Sequence, residues 1–400
     1  MADTAIAGTM TVMKVYLKKG KEKPILQRHR WIFSGAIEYI DDTIADGDMV
    51  SVCDHAGTVL GAGYFNGKSQ LTVRLLSFGD APFSTDTLRG LIGRAAAARA
   101  ADPLLEGTNA FRLVHSEGDG IPGLIVDSYD GHLVMQCLTL GIDRLRDDII
   151  TLLRDTLKPK SIYERSDHAG RAIEGLEKRS GQADGITPDE IIVNENGMML
   201  AVDVKRGQKT GLFLDQRDHR ALARRLARGR KVLNLFSYTG GFTVAAMLGG
   251  ARESISVDAS EGALIALKKN LELNGIVSGA ETVCADVFDY LRGDIADADF
   301  IILDPPAFAK SRGAITRALR GYKDINLQVM KRCPAGSHLL TFSCSRFISM
   351  DDFQRAVFEA ALDAGREASI ILKSHHPSDH PVSVYVPETD YLKGLIVRVG

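Results

Sequence analysis

The sequence predicts an α/β fold in three parts: an N-terminal all-β barrel-like domain at 1–82, a central α+β domain at 83–204 and a C-terminal doubly wound sheet at 205–400. The main observation is that, from residue 231 onward, apolar strands alternate with helices, as in mostly parallel sheets. The first domain instead contains short runs of alternating apolar and polar side chains, separated by Gly and Asp turns. A length of 400 residues also exceeds what one hydrophobic core normally organises.

Each domain contains segments that predict its elements. The predicted strands of the first domain are VYLKKG, MVSVCD, VLGAGYFN and QLTVRLLSF, and the segment RHRWIFSGAI contains Trp31, the only tryptophan. The central domain is predicted to contain helices near 84–101 and 141–157 and strands at SIYERS and MMLAVDV. The predicted strands of the third domain are KVLNLF, SISVDA, ETVCAD, DFIILDPP, SHLLTFSC and EASIILKS.

The composition is that of a soluble globular protein, with 45% apolar and 25% charged residues. No apolar run approaches the ~20 residues that cross a bilayer. The N-terminus lacks a secretory signal, although Met10 or Met13 could also begin the chain. The five cysteines form no CxxC pair and the ten histidines no HExxH motif, which argues against a disulfide framework and a metal site. We therefore expect a cytoplasmic protein without a metal, and a homodimer is left open.

Positive charge is concentrated in three segments, although the net charge of the chain is −2. Lys and Arg outnumber Asp and Glu seven to one at 14–30, ten to two at 205–231 and seven to one at 310–332. Any one of these segments is most simply a solvated surface. Together they predict one cationic face that suits a phosphate backbone.

Ligands of a doubly wound sheet bind beyond the carboxyl ends of its strands, so the residues after each strand are the candidates for a site. After the first strand comes NLFSYTGGFT, 234–243, where Gly240 and Gly241 allow close approach of the backbone and a helix N-terminus supplies free N–H groups. A tight structural turn is the alternative. The loop lacks the G-x-G-x-x-G fingerprint of dinucleotide sites, which argues against a dehydrogenase.

Acidic residues follow the next two strands. Asp258 lies 18 residues beyond Gly240 and could accept hydrogen bonds from both hydroxyls of a ribose. Its alternative role is to cap the helix that begins near Ser260. Asp286 could accept from the exocyclic amine of a purine while Val287 packs on the ring, or it could also be a helix cap. The spacing from the glycine loop favours ribose binding by Asp258.

After the fourth strand comes LDPPAFAK, 303–310, in which Asp304 precedes two prolines that make the loop stiff and poor in N–H donors. Such a loop offers a carboxylate and carbonyl oxygens to a flat, polar base, although a Pro-Pro pair could also end the strand for packing reasons. The glycine loop, the two acidic strand ends and this loop occur in order within one domain. As a set they resemble a class I S-adenosylmethionine-dependent methyltransferase, whose sheet is Rossmann-like.

A cysteine follows the fifth strand in HLLTFSCSRF, so Cys344 is expected at the same sheet edge as Asp304. Most free cysteines fill cores. We expect that role for the other four: Cys53, Cys137, Cys284 and Cys333. A thiolate at Cys344 would instead gain from basic surroundings and from the dipole of the helix that begins near Ser349. Methylation of C5 of a pyrimidine requires such a nucleophile, because its addition to C6 creates the enamine that attacks the methyl sulfonium.

Over nearly its whole length the chain resembles the 23S ribosomal RNA cytosine-5 methyltransferases of large-subunit type. RHRWIFSGAI is similar to the start of that family's RNA-binding PUA domain, and EGDGIPGLIVDSY and KRGQKTGLFLDQRDHR are similar to its central and linker signatures. NLFSYTGGF, LDPPAFAK and TFSCS match its catalytic motifs. The resemblance implies a PUA-like barrel at 1–82 and methyl transfer from S-adenosylmethionine to C5 of a cytosine in 23S ribosomal RNA, before the subunit is fully assembled. Many other RNA cytosine-5 methyltransferases have a second cysteine where this chain has Ala307.

The residues and the resemblance together assign a role to each candidate. Cys344 is expected to be the nucleophile, and Asp304 is expected to hydrogen-bond or protonate N3 of the cytosine. The expected cofactor contacts are Phe236, Ser237, Tyr238, Thr239, Gly240, Gly241, Asp258, Ala259, Ser260, Asp286, Val287, Asp304 and Gln216. The expected substrate contacts are Pro305, Pro306, Arg217, Arg30 and Trp31. The resemblance also implies that Phe213 and Asp215 lie near the cofactor or substrate, and it identifies no base for the C5 proton.

Two other functions stay open at the level of the sequence. A methyltransferase that acts on a base nitrogen, such as guanine N7 or an exocyclic amine, would need no thiolate, because these nitrogens attack the sulfonium themselves. A non-catalytic RNA-binding assembly factor could use the same scaffold. Nucleoside analysis of the product distinguishes the first from cytosine-5 methylation, and titration with S-adenosylmethionine tests the second.

Overall fold

The computed structural model describes residues 13–293, 295 and 297–400, and the alternative start Met10 lies outside these residues. The elements of its N-terminal part are β1 (Lys14–Leu17), α1 (Lys23–Leu26), β2 (Trp31–Phe33), β3 (Ile37–Ile40), β4 (Met49–Cys53), β5 (Val59–Phe65) and β6 (Leu71–Phe78). The six strands form one sheet in the order β2-β6-β5-β4-β1-β3. Val15, Val52 and Val73 are among the residues that fill its interior, so the predicted all-β domain is confirmed.

A five-stranded sheet in the order β11-β10-β9-β8-β7 follows. Its strands and helices are α2 (Thr85–Ala100), β7 (Ala110–His115), β8 (Leu124–Tyr129), β9 (His132–Cys137), α3 (Leu140–Arg144), α4 (Arg146–Leu157), β10 (Ser161–Ser166) and β11 (Arg179–Gly185). The stretch predicted as one helix at 141–157 is two helices, because the backbone at Leu145 leaves helical geometry. A separate hairpin comes next, formed by β12 (Ile191–Glu195) and β13 (Met198–Val202).

The C-terminal part is a seven-stranded sheet in the order β16-β15-β14-β17-β18-β20-β19. Its elements are α5 (Arg217–Leu226), β14 (Lys231–Leu235), α6 (Gly241–Leu248), β15 (Glu253–Asp258), α7 (Glu261–Leu273), β16 (Ala280–Cys284), α8 (Val287–Tyr290), β17 (Phe300–Leu303), α9 (Ile315–Arg332), β18 (Ser337–Ser343), α10 (Met350–Ala364), β19 (Ala368–Ser374) and β20 (Lys393–Val399). The five strands from β16 to β18 pair in parallel, and β20 is antiparallel to both of its neighbours. The doubly wound, mostly parallel sheet is therefore confirmed.

The chain order places the chemically interesting loops together. From β14 the chain moves outward through β15 to β16 and then returns to β17 on the other side of β14. This reversal opens a crevice at the carboxyl ends of β14 and β17, where such sheets bind ligands. Cys344 follows β18, which is the neighbour of β17. The hairpin β12–β13 packs against α6 and α7, through Val193, Leu200, Val244 and Leu264 among others.

The helices that cover the sheet are amphipathic. α9 and α10 bury Tyr322, Val329, Phe353 and Val357 in the same core cluster as the strands. The outer side of α9 exposes arginines of the basic segment 310–332, as predicted for a charged surface. Within the described part of the chain, no helix combines the length and apolar character needed to span a membrane.

Candidate active site

A cavity of about 470 Å³ is lined by the loops that follow β14 to β18, and its size is typical of small-molecule sites. Most predicted cofactor and substrate residues line it: Gln216, Phe236, Ser237, Tyr238, Thr239, Gly241, Asp258, Ala259, Asp286, Val287, Asp304, Pro305, Pro306 and Cys344. Phe213 and Asp215, which the resemblance implied, also line it. The fold therefore brings to one place side chains that are far apart in the sequence.

The glycine loop turns sharply between β14 and α6. Phe236 and Tyr238 have positive φ angles of 60° and 48°, although they are not glycines. This conformation costs about 1–2 kcal/mol per residue, and such strain is concentrated at ligand sites. Gly240 was predicted to contact the cofactor, but it does not line the cavity. A Cβ at Gly240 would lie 2.3 Å from Cγ of Leu267, so this glycine lets the loop turn and pack against α7.

The acidic residues after β15 and β16 have different local roles. Asp258 accepts hydrogen bonds from the backbone N–H of Tyr238 and that of Ser260, both at 2.9 Å. It does not cap α7, because the hydroxyl of Ser260 does so. Ser260 lies outside the cavity, which corrects its predicted role as a cofactor contact. Asp286 both caps α8 and lines the cavity, so the two roles weighed for it are compatible.

Asp304 follows β17, and a chain of hydrogen bonds orients its carboxyl group. Nε2 of Gln216 donates to Oδ1 of Asp304 at 2.9 Å, and Oε1 of Gln216 lies 2.6 Å from Nδ1 of His219. Burial lowers the pKa of His219 to about 3, so a neutral His219 donates this second bond. Burial, followed by the charge of Asp215, raises the pKa of Asp304 to about 7. Asp304 can therefore exchange a proton near neutral pH.

Cys344 lies directly after β18, and its Sγ is 3.8 Å from the carbonyl oxygen of Pro305. Burial and the charge of Asp304 raise the pKa of its thiol to about 11. The expectation of a thiolate stabilised by the next helix is wrong. A capping box between Ser349 and Asp352 occupies free N–H groups at the N-terminus of α10. The first turn of this helix is also acidic, and its negative charge disfavours a thiolate nearby. Cys344 is therefore a thiol at neutral pH in the unliganded protein.

Part of a charged cluster around Asp215, which lines the cavity, was not predicted from the sequence. Nζ of Lys209 and the hydroxyl of Tyr391 both donate to Oδ2 of Asp215, at 2.6 and 2.7 Å. Burial by itself raises the pKa of Asp215, but the Lys209 charge and these bonds hold the pKa well below its usual range. Lys209 belongs to the linker signature KRGQKTGLFLDQRDHR, so the motif could have pointed to it. No local signal pointed to Tyr391, which lies 176 residues after Asp215.

Arg217 was predicted to bind substrate, but it is only 1% exposed and does not line the cavity. Its two terminal nitrogens donate to the two carboxylate oxygens of Asp379, at 2.8 and 3.0 Å. Arg220, on the same helix, is also buried and pairs with Glu195 of the hairpin. Part of the basic segment 205–231 is therefore interior rather than a cationic face, because distant segments supply carboxylates to these arginines.

The structure thus predicts a stability role for Arg217. Replacing Arg217 with Met should destabilise the protein by about 3–5 kcal/mol, because it leaves the buried carboxylate of Asp379 without its partner. Replacing exposed Arg225 on the same helix with Met should cost less than about 1 kcal/mol. Thermal unfolding of both variants measures the difference. Equal midpoints for the two variants would contradict the structural role.

Arg30 and Trp31, also predicted to bind substrate, lie in the N-terminal domain and do not line the cavity. Nη1 of Arg30 donates to the carbonyl oxygen of Leu75 at 3.0 Å, and burial lowers the pKa of Arg30 to about 10. Nε1 of Trp31 donates to Glu117 of the central part at 2.9 Å. Both side chains are half-buried, and their contact with RNA stays a prediction.

The cysteines differ in their surroundings. Cys53, Cys137 and Cys333 are buried, as expected for core residues, whereas Cys284 is exposed at the end of β16 and does not fill a core. Among the described residues that line the cavity, Cys344 is the one cysteine. Ala307 lines the cavity as well.

Comparison with known proteins matches two parts of the chain to protein families. Residues 171–359 match the family of S-adenosylmethionine-dependent methyltransferases, and residues 15–78 match a PUA-like domain. A solved methyltransferase structure complexed with SAH superposes with a TM-score of 0.83 at 24% identity, covering 97% of this chain and 100% of that chain. At this identity the likeness supports the fold.

Relatives with higher identity cover almost the whole chain. The ribosomal RNA large subunit methyltransferase I of Aeromonas salmonicida is 43% identical over 391 residues, which are 96% of this chain and 98% of the relative. The protein of the same name from Aeromonas hydrophila is 44% identical over 394 residues, with the same coverage. With its PUA-like N-terminal domain and its methyltransferase sheet, the chain therefore belongs to the ribosomal RNA large subunit methyltransferase I family of S-adenosylmethionine-dependent enzymes.

Proposed function

We propose that the protein transfers a methyl group from S-adenosylmethionine to C5 of a cytosine in 23S ribosomal RNA, while Cys344 bonds transiently to C6. The observation that carries the proposal is that Cys344 and Asp304 line the same cavity as the glycine loop and the acidic strand ends. A nucleophile and a proton-exchanging carboxyl group thus share a site with the donor-binding loops. We propose a cytoplasmic reaction on RNA not yet covered by the full subunit, because the target base must leave its stack.

The residues of the cavity suit S-adenosylmethionine. Each carboxylate oxygen of Asp258 holds one backbone N–H and keeps a lone pair for a ribose hydroxyl. Asp286 offers an acceptor for the adenine amine, and Val287 offers an apolar surface for the ring. When bound, the cofactor supplies an electrophilic methyl group on a sulfonium.

The first steps use Cys344 and Asp304 as a pair. The ionised carboxylate of Asp304 accepts the proton of the Cys344 thiol and delivers it to N3 of the cytosine. As the sulfur–C6 bond forms, the electron pair of the C5–C6 double bond moves to make the C4–C5 double bond of an enamine, and the pair of the N3–C4 double bond moves to N3, where it binds the delivered proton. C5 of this enamine then attacks the methyl group, whose bonding pair stays on the leaving sulfur, and a positive charge is left over N3 and C4. A carboxyl group with a pKa near 7 suits this exchange, because it both gains and loses a proton at neutral pH.

The remaining steps restore the ring. The C5 proton leaves to water, and its bonding pair neutralises the positive charge at N3 and C4. The N3 proton then returns to Asp304 as the sulfur–C6 bond breaks, which regenerates the C5–C6 double bond and releases Cys344 as a thiolate. Asp304 passes the proton back to the thiolate, so both groups end as they began.

The proposed ribose contact predicts a loss of cofactor affinity. Replacing Asp258 with Asn should weaken S-adenosylmethionine binding about 10- to 100-fold, as expected for losing a charged hydrogen-bond acceptor. Isothermal titration calorimetry measures the dissociation constant. Ser260→Ala is the matched control, because Ser260 caps α7 outside the cavity. It should cost about 1 kcal/mol of stability and leave cofactor affinity unchanged. Equal affinities for both variants would contradict the contact.

The raised pKa of the Cys344 thiol is the observation that favours a rival function. A methyltransferase acting on guanine N7 or an exocyclic amine needs no nucleophile and could keep this thiol protonated. Mass spectrometry of nucleosides from RNA methylated by the purified protein distinguishes the two, since 5-methylcytidine and the methylated guanosines separate. A protein that fails to bind S-adenosylmethionine in the same titration would instead be a non-catalytic assembly factor.

The experiment that tests the proposed function is mapping of 5-methylcytosine in 23S ribosomal RNA from cells with and without this protein. We expect one position, or a few, to lose the modification in cells that lack the protein, and to regain it when the gene is restored. An unchanged 5-methylcytosine map would overturn the proposal, and a lost methylguanine would favour the rival function.

A further inference from the structure

Lys393 is a buried lysine beside the proposed nucleophile. It is the first residue of β20, is 2% exposed, and pairs across the sheet with Ser343, the last residue of β18. Its Nζ donates to the carbonyl oxygens of Ser345 and Tyr391, both at 2.8 Å. Cys344 therefore lies between two residues that Lys393 contacts, one across the sheet and one through the ammonium group.

The charge of Lys393 has no carboxylate partner. Among the described residues, no acidic oxygen lies within the 4.0 Å that defines an ion pair with this lysine. The two acidic groups whose charges act on Lys393 are Asp390 and Cys344, and Asp390 is shared with His375 and His376. An unpaired buried charge is costly. Burial accordingly lowers the pKa of Lys393 to about 8, which leaves most of the ammonium charged at neutral pH.

The segment around Cys344 is held rigidly, so the ammonium and the thiol keep their relative positions. The hydroxyl of Ser345 accepts from the backbone N–H of Ala309 at 3.2 Å and lies 2.9 Å from the hydroxyl of Tyr322. These contacts connect the residue after Cys344 to the loop that follows Asp304 and to α9. Lys393 adds the connection to β20.

Other charged groups around the thiol do not balance a thiolate. Asp304 and Asp215 raise the pKa of Cys344, after burial, whereas Lys209 lowers it. Lys209 is already paired with Asp215, at 2.6 Å. The hydroxyl groups of Tyr322 and Tyr391 also face this region, and burial raises the pKa of both, so they are uncharged at neutral pH. Among the described residues of this group, Lys393 is thus the cation that forms no ion pair with a carboxylate.

We propose that Lys393 is a positioning residue that supplies the counter-charge for the Cys344 thiolate as the sulfur bonds to C6 and later leaves it. The inference rests on the proposed function. In each direction the proton of the thiol still passes through Asp304, and Lys393 keeps its own proton. Two buried opposite charges offset part of each other's loss of hydration, so the thiolate is stabilised at the moment when it is needed.

The test compares full-length Lys393→Met and Lys393→Gln with the wild-type protein. The readout is the rate at which iodoacetamide alkylates Cys344, followed by mass spectrometry of its peptide from pH 6 to 7.5, where Lys393 is largely charged and only the thiolate fraction reacts. We expect alkylation at a given pH to be about tenfold slower in both variants, as for a rise of about one unit in the pKa of the thiol. Turnover should fall about 10- to 100-fold, while affinity for S-adenosylmethionine stays unchanged. Lys393→Arg, which keeps the charge, should restore the wild-type rate of alkylation.

Lys393→Gln guards against a purely structural explanation, because its amide can still donate to a carbonyl oxygen. An unchanged rate of alkylation in the Gln variant, with or without a lower turnover, would overturn the role of the charge, and so would a slowing in the Arg variant equal to that in Gln. If the Met variant does not fold, the Gln variant alone decides the question. If the wild-type protein makes no 5-methylcytosine, the proposed function fails, whereas the alkylation rates still report whether Lys393 stabilises the thiolate.

Discussion

Replacing Cys344 with Ala is expected to abolish methyl transfer to 23S ribosomal RNA, with a loss of at least about 10⁴-fold, as when an enzyme loses its nucleophile. The physical reason is that C5 of a resting cytosine is not nucleophilic, and no other thiol lines the described part of the cavity to add to C6. Transfer of tritium from labelled S-adenosylmethionine to the RNA measures the loss. Cofactor affinity should stay within a few-fold of wild type, because Cys344 is not predicted to contact the cofactor.

The matched control is Cys333→Ala. Cys333 is a buried thiol at the end of α9 with no contact to the cavity, so its replacement should leave activity unchanged. RNA that contains 5-fluorocytosine should form a denaturant-stable adduct with the wild-type protein and with Cys333→Ala, because fluorine at C5 cannot leave as a proton does. The Cys344→Ala variant should form none. Substantial 5-methylcytosine formation by that variant would remove the nucleophile from the proposed reaction.

Replacing Asp304 with Asn is expected to lower kcat/KM about 10²- to 10⁴-fold, the usual contribution of a group that transfers protons. In the wild-type protein, ionised Asp304 must accept the thiol proton. Because its pKa is raised to about 7, the carboxyl group becomes protonated as pH falls through 7, and kcat/KM should then drop about tenfold per pH unit. The profile should level off above pH 7 and fall again above about pH 8, as Lys393 loses the proton on which the proposed counter-charge depends.

The pH profile of Asp304→Asn should have a different shape. The limb near pH 7 should disappear, and the rate should rise with pH as the thiol of Cys344 ionises by itself. Asp289→Asn is the control, because this carboxylate is exposed on α8 and pairs with Arg292. It should keep both the rate and the profile of the wild type. An acidic limb at the same pH in Asp304→Asn would show that another group accepts the proton.

Periodicity in the sequence was sufficient to predict the C-terminal sheet. Parallel strands that are covered on both faces are continuous apolar runs, such as KVLNLF and DFIILDPP, and helices separate them. The prediction that the loops after these strands lie close together followed from this sheet, because the carboxyl ends of parallel strands share one edge. β20 was not predicted, since it returns antiparallel after a long loop and breaks the alternation of strand and helix.

Individual side chains were harder to predict than loops. Arg217 and Lys209 lie in the same basic segment, yet one is buried against Asp379 and the other lines the cavity beside Asp215. Asp379 is 162 residues away from Arg217 in the chain, so local pattern does not reveal the pair. Gly240 and Ser260 were placed correctly in their loops, but neither lines the cavity, because Gly240 packs against Leu267 of α7 and Ser260 caps that helix.

The alternation of strands and helices up to β19 in the C-terminal sheet, and the presence of a thiol, a carboxyl group and a glycine turn at one sheet edge, were determined by the sequence by itself, because these features follow local patterns of apolar and turn-forming residues. Only the tertiary structure decided the state of the groups there: a thiol with a high pKa, a carboxyl group with a pKa near 7 and a buried lysine that forms no ion pair with a described carboxylate. The reason is that proton affinity depends on burial and on charges that distant segments bring close.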